Sequence, residues 1–257
     1  MASAVPVLSL ERQSRDAEGF AQALGRSFET YGFAIVADHG VDSALVAKTW
    51  EVSRQFFALP VNVKQRYQLP GEGGARGYTP FGIEIAKDAD KHDLKEFWHV
   101  GRDLPPGHRF RDHMPDNVWP SEIPAFRETL QSIFAAFDAA GNRLLSAIAR
   151  YLGLAPDWFE PAVEDGNSIL RLLHYPPIAP DADGIRAGAH EDINLITLLV
   201  GCMAAYGMAR FSFAGRKALA YTTLMLRTVP LAVIAVPVFM IWSDWKLTNS
   251  LAGLILL

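Results

Sequence analysis

The sequence predicts an α+β fold: a helical N-terminal region, a strand-bearing core, and an apolar helical tail of transmembrane character. Three observations predict it. Apolar residues recur at helical spacing in three long stretches before residue 153. Short β-branched or aromatic runs at 33–36, 95–100 and 168–175 are bounded by Gly, Pro or charged residues. Charge and hydropathy both change near residue 200. The whole chain has 24 basic and 28 acidic residues, net −4. Residues 201–257 carry five basic residues and one acid, net +4, so the preceding part carries 19 and 27, net −8.

In chain order, Val5 to Leu10 reads as a short strand. Phe20, Leu24, Phe28 and Tyr31 then mark an amphipathic helix that Gly32 ends. Phe33 to Val36 reads as a buried strand closed by the turn Asp38-His39-Gly40. Asp42 can accept a hydrogen bond from the first free backbone N–H groups of a second helix. That helix carries Leu45, Val46, Trp50, Phe56 and Phe57 inward and stops at Pro60. Residues 70–92, rich in Gly and charge, read as a long loop. Lys95 to Val100 has strand character, and Pro105-Pro106-Gly107 breaks the chain. The longest helix is expected from about Ser121 to Leu152, with Phe126, Leu130, Ile133, Phe134 and Phe137 as its first stripe and Gly153 as its C-terminal stop. Ser168 to Tyr175 is a further strand, ended by Pro176-Pro177. The division expected is 1–115, 116–200 and 201–257.

Composition excludes some classes. A net charge of −4 argues against nucleic acid as a partner. One cysteine, Cys202, allows no internal disulfide and fits a reducing compartment. Met1 to Leu10 lacks the basic and apolar regions of a secretory signal. Residues 1–200 are therefore expected in the cytoplasm.

Chemistry concentrates at Gly188-Ala189-His190-Glu191-Asp192, which opens the apolar run Ile193 to Leu199. In a strand, residues i and i+2 share a face. His190 and Asp192 would present an imidazole and a carboxylate side by side, with Glu191 pointing away. That is two-thirds of the two-His-one-carboxylate triad that holds non-haem Fe(II) with positions open for oxygen and substrate. Asp93 and Glu96 form a second carboxylate pair, read as surface charge around a strand. His39 reads as a turn residue, and His92, His99, His108 and His113 as solvated.

Seven segments carry a resemblance. They are Val5-Pro6-Val7-Leu8; Tyr31-Gly32-Phe33 with His39-Gly40-Val41; Phe56 to Pro60; Arg76-Gly77-Tyr78; Asp93 to Glu96; Leu170 to Pro177; and His190 to Asp192. Together they resemble the isopenicillin-N-synthase-like family of 2-oxoglutarate- and Fe(II)-dependent dioxygenases. The resemblance implies a double-stranded β-helix, or jelly roll, behind the helical region. It implies Fe(II) on His190 and Asp192, 2-oxoglutarate as cosubstrate beside Tyr175, and a small-molecule substrate.

The family pattern stops soon after. Its next strands carry a second iron-binding His and an Arg-x-Ser pair for the far carboxylate of 2-oxoglutarate. The seven histidines here are at 39, 92, 99, 108, 113, 174 and 190, so none follows His190. Arg210-Phe211-Ser212 matches Arg-x-Ser in letters but follows Asp192 closely, with no His between. An incomplete jelly roll, with little or no activity, is the expectation.

Ala218 to Trp242 is a long apolar run with one charge, Arg227. A bilayer core needs about 20 apolar residues. Arg210, Arg216 and Lys217 precede the run, so its start falls on the cytoplasmic side and 218–242 reads as an inner-membrane anchor. Ala204 to Arg216 resembles a cytoplasmic link of carbohydrate ABC-transporter permeases, and the resemblance extends over about 200–257. The chain thus reads as the front of a dioxygenase joined to the middle of a permease between about Thr197 and Met203. Such a join is a gene fusion or a sequence-assembly product, and the alternative function is that of a membrane component.

Overall fold

The structure, a computed structural model, describes residues 5–71, 74–85, 91–179, 182–187 and 194–199. The elements are β1 (Val7–Ser9), α1 (Ala17–Tyr31), β2 (Ile35–Ala37), α2 (Ser43–Phe57), α3 (Val61–Lys64), β3 (Gly77–Thr79), β4 (Glu96–Gly101), α4 (Phe126–Tyr151), α5 (Glu160–Val163) and β5 (Ile169–His174). Two compact units result: residues 1–8, 22–36 and 199–257, and residues 9–21 with 37–198.

In the first unit, β1 pairs with β2. Gly32 ends α1 with φ +76, where a side chain would be strained. The Ser27 hydroxyl donates to the Phe33 carbonyl at 2.9 Å and fixes the return of the chain.

The second unit is built on an antiparallel sheet in the order β3-β4-β5. Strand alternation gives it two faces. Tyr78, Trp98, Val100, Leu170 and Leu172 face α2 and α4, joining Phe56, Phe126, Leu130 and Ile133 in one core. Phe56 and Trp98 meet edge to face with centroids 4.6 Å apart, and Trp98 and Phe126 do so at 5.1 Å, the arrangement that ring quadrupoles favour. The other face carries Phe97, His99, Arg171 and Leu173, in the register Phe97↔Leu173 and His99↔Arg171.

Most expected elements are present. Asp42 accepts the Ala44 N–H at 3.0 Å, and Gly153 follows α4 with φ +73. His39 is a turn residue, its Nδ1 accepting the Val41 N–H at 3.1 Å. Three differences have local causes. The long helix begins at Phe126, not Ser121, because Pro124 disfavours helical backbone at Ile123. Pro60 stops α2 but also precedes α3, where its fixed φ suits a helix start. The expected loop at 70–92 contains β3, a three-residue strand too short to show a period.

The H-x-D pair lies outside the described residues, as do 218–242 and the rest of the tail. Among the described residues, no helix is long and apolar enough to cross a membrane.

Candidate functional site

Alternation along β4 and the residues before it separates two polar networks. Glu96 lies on the helix-facing side and is 4% exposed. Its carboxylate accepts from Lys64 Nζ at 2.9 and 2.7 Å, from the Tyr78 hydroxyl, and from His174 Nδ1 at 2.7 Å. The His174 ring stacks on Phe57, 4.9 Å between centroids. Burial opposes the Glu96 charge, but these three partners hold the carboxyl below its ordinary range. Burial, reinforced by Glu96, pushes the Tyr78 phenol up.

The second network runs along the open face. Asp93 and Lys95, two residues apart, are 4% and 6% exposed and bonded at 2.7 Å. Lys95 also reaches Glu84 at 2.5 Å, and Glu84 pairs with Arg171 on β5. The Arg171 guanidinium covers the Phe97 ring at 4.3 Å. Burial opposes the Lys95 charge, yet Asp93 and Glu84 hold the ammonium above its ordinary range.

Tyr175, directly after β5, is half-buried beside this network. The Arg186 guanidinium lies over its ring at 5.4 Å. Burial pushes the phenol up; Lys95 and Arg171 oppose that, while Asp93 and Glu84 reinforce it. Tyr175 is therefore a neutral hydroxyl donor at pH 7, set among three cations, Lys95, Arg171 and Arg186, of which the first two are engaged by carboxylates.

His99 shares this face. Its Nδ1 lies 2.6 Å from the Gly74 carbonyl, which can only accept, so Nδ1 carries the proton. Nε2 is buried with no partner. Burial, and then Arg171, push the imidazole down to about 4.

Three expectations from the sequence are corrected here. Asp93 and Glu96 are buried and not surface charges; each survives burial because it is paired, and they sit in separate networks. His99 is largely buried. His108 is not free in solvent but lies 3.1 Å from Asp165. Sequence reasoning misses Lys64, Tyr78 and Glu84, each of which lies on a different element or loop from the partner it holds. The Asp93–Lys95 pair does have a signal, the i, i+2 spacing within a strand-like run.

The donor chemistry of His190 and Asp192, one imidazole and one carboxylate, suits Fe(II). It is one ligand short of the triad, since no His follows them. Among the described residues no group of three His, Cys, Asp or Glu side chains gathers to hold a metal. The residues present do not complete the three-ligand site.

Residues 5–122 match the family model of the non-haem dioxygenase in morphine synthesis N-terminal region. The chain is 31% identical over 216 residues to the validamycin A dioxygenase of Streptomyces hygroscopicus subsp. limoneus, covering 77% of this chain and 58% of that protein. It is 30% identical over 192 residues to a proline hydroxylase of Petromyces alliaceus, covering 71% and 58%. It thus spans little more than half the length of these relatives. A crystal structure of a 2OG-Fe(II) oxygenase family protein from Caulobacter crescentus is 55% identical with a TM-score of 0.70, covering 79% of this chain and 66% of that one. A full-length Neurospora crassa protein crystallised in complex with alpha-KG is 27% identical with a TM-score of 0.57, covering 67% and 54%. None of these matches lends support to the permease-like reading of the tail. The described sheet and its helical preface are those of the jelly-roll oxygenases, whose cofactors are Fe(II) and 2-oxoglutarate, and the chain belongs to this 2-oxoglutarate/Fe(II)-dependent, isopenicillin-N-synthase-like family.

Proposed function

We propose that the chain is a 2-oxoglutarate- and Fe(II)-dependent dioxygenase by descent, with an incomplete site and little or no turnover. His190 and Asp192 would supply two metal ligands, and Tyr175 would contact 2-oxoglutarate. The observation that carries the reading is compositional. Positions 193–257 contain no histidine, and the one Arg-x-Ser sequence there, Arg210-Phe211-Ser212, follows Asp192 too closely for the family's order of elements. In the family, metal and 2-oxoglutarate together supply the oxidant for a substrate C–H bond. This chain's own part would be to orient the cosubstrate through the neutral Tyr175 hydroxyl. The parts 1–115 and 116–200 would make up the oxygenase portion, with 201–257 a separate segment.

Loss of an outer partner of a metal ligand costs about 10–100-fold in affinity or activity, and loss of a ligand costs at least as much. The purified chain, given Fe(II), ascorbate and 2-oxoglutarate, should release succinate at the rate of a protein-free control. Tight Fe(II) binding with succinate release above that control would overturn the reading.

A second reading rests on Ala218 to Trp242, an apolar run with a single charge: the chain is anchored in a membrane through this segment. Alkaline carbonate would then leave the protein with the membranes. Its appearance in the soluble fraction would end that reading.

A further inference from the structure

Residues 184–187 lead toward the His190–Asp192 pair, and the segment 92–95 holds them at four points. The Ile185 N–H donates to the His92 carbonyl at 3.0 Å, and the Leu94 N–H donates to the Ile185 carbonyl at 2.7 Å. Gly184, at φ +150, packs so closely that a Cβ there would lie 2.5 Å from Leu94. The fourth point is a side chain. The Ala187 N–H donates to Asp93 Oδ1 at 3.2 Å.

Two features separate that last contact from ordinary packing. Ala187 has φ +52, a left-handed conformation that an alanine adopts only when its surroundings impose it. Asp93 is itself fixed: it is 4% exposed, and its other oxygen accepts Lys95 Nζ at 2.7 Å. Lys95 is tied to Glu84, and Glu84 to Arg171 on β5. A chain of paired charges therefore runs from the sheet to one strained backbone N–H just before His190.

We propose that Asp93 is a positioning residue for the segment bearing the His190–Asp192 pair, acting through the Ala187 backbone and held in place by Lys95 and Glu84. The carboxylate serves both ends at once. One oxygen takes the backbone N–H in a charge-assisted bond, and the other takes the buried ammonium. Asp93→Ala would leave Lys95 with Glu84 alone and Ala187 with nothing to hold its conformation.

The purpose of this clamp rests on reading His190 and Asp192 as an inherited ligand pair, but the clamp is measured without metal. Amide hydrogen exchange of the full chain should show residues 184–187 exchanging at least tenfold faster in Asp93→Ala than in the parent. The amides of α4 should be unchanged, and Asp93→Asn, which keeps an acceptor oxygen, should restore most of the protection. The His190 ring resonance should move in Asp93→Ala and stay in place in Leu130→Ala, a core variant that lowers stability generally. Equal acceleration in 184–187 and α4, or no acceleration, would overturn the proposal. So would faster exchange with a stationary His190 resonance. If Asp93→Ala does not fold, Lys95→Met is read in the same way, since it removes the partner that fixes Asp93; unchanged exchange at 184–187 would again overturn the proposal. Failure of Fe(II) to bind the parent chain would overturn the metal-site reading and leave the exchange result standing.

Discussion

His99 shows how far one residue can depart from its sequence context. Polar neighbours and nearby loops make it look solvated. Its position on β4, opposite Arg171, instead buries Nε2 without a partner. Its imidazole falls from 6.5 to about 4. The unfolded chain then binds more protons than the folded one between those values, so stability is present above pH 6.5 and is lost as pH falls toward 4. At about 1.36 kcal/mol per pKa unit the full loss is on the order of 3 kcal/mol. Urea midpoints should fall steadily from pH 6.5 to 4.5 in the parent and stay flat in His99→Gln over that window. Glu96 adds a second, more acidic decline. Its carboxyl is held below 4.5, so its contribution is present above that pH and lost as pH falls below it. Tyr175 belongs to the same scale. A neutral phenol donating to a carboxylate contributes roughly 1.5–3 kcal/mol, so Tyr175→Phe should weaken 2-oxoglutarate binding by about tenfold or more in calorimetry. Equal affinity in the two proteins would remove Tyr175 from the site.

At the scale of the element, β4 is the organising piece, and half of its role is legible in the sequence. The run Lys95 to Val100 announces a strand, and alternation places Trp98 and Val100 on one face with Phe97 and His99 on the other. What cannot be read is which face the helices bury and which distant residues neutralise Glu96. Lys64 lies on α3, a helix of one turn that gives no periodic signal, and Tyr78 lies on the short strand β3. Such pairings depend on tertiary approach and leave no local trace. The consequence is testable. Removing one partner of a buried ion pair leaves an uncompensated charge at a cost of roughly 3–5 kcal/mol, and Lys64→Met should show a loss of that size in urea unfolding. The end of β4 is equally constrained. Arg76 is fully buried, and a Cβ at Gly101 would come within 1.8 Å of its Cζ. Ala75 and Asn167 hold the guanidinium from the other side, so it cannot simply swing away. Gly101→Ala should cost about 1–3 kcal/mol from overpacking.

For the whole molecule, the sequence foretells a core that begins but is not seen to close. Seven short motifs in the right order locate the family between Val5 and Asp192, and the matches agree with that. The same reasoning says nothing of where residues 201–257 lie, since an apolar run fits a membrane and a buried helix alike. The sheet itself carries the physical consequence. Among the described residues β5 pairs only with β4, so its other edge offers free backbone groups. On the same strand Ile169 and Leu173 are 43% and 40% exposed, and they alternate to one face with Arg171. An apolar strand with an unpaired edge is a template for association with another copy. The full chain should therefore self-associate in a concentration-dependent way, read by light scattering on a sizing column. Combining Ile169→Lys with Leu173→Lys should reduce that association, because inward-pointing charge on an edge strand opposes pairing. If residues 218–242 drive the association instead, the double substitution will change nothing and detergent alone will disperse the protein. A monodisperse monomer of the parent chain without detergent would show that the edge is covered, and that the segment after Asp192 completes the sheet despite lacking the family's ligands.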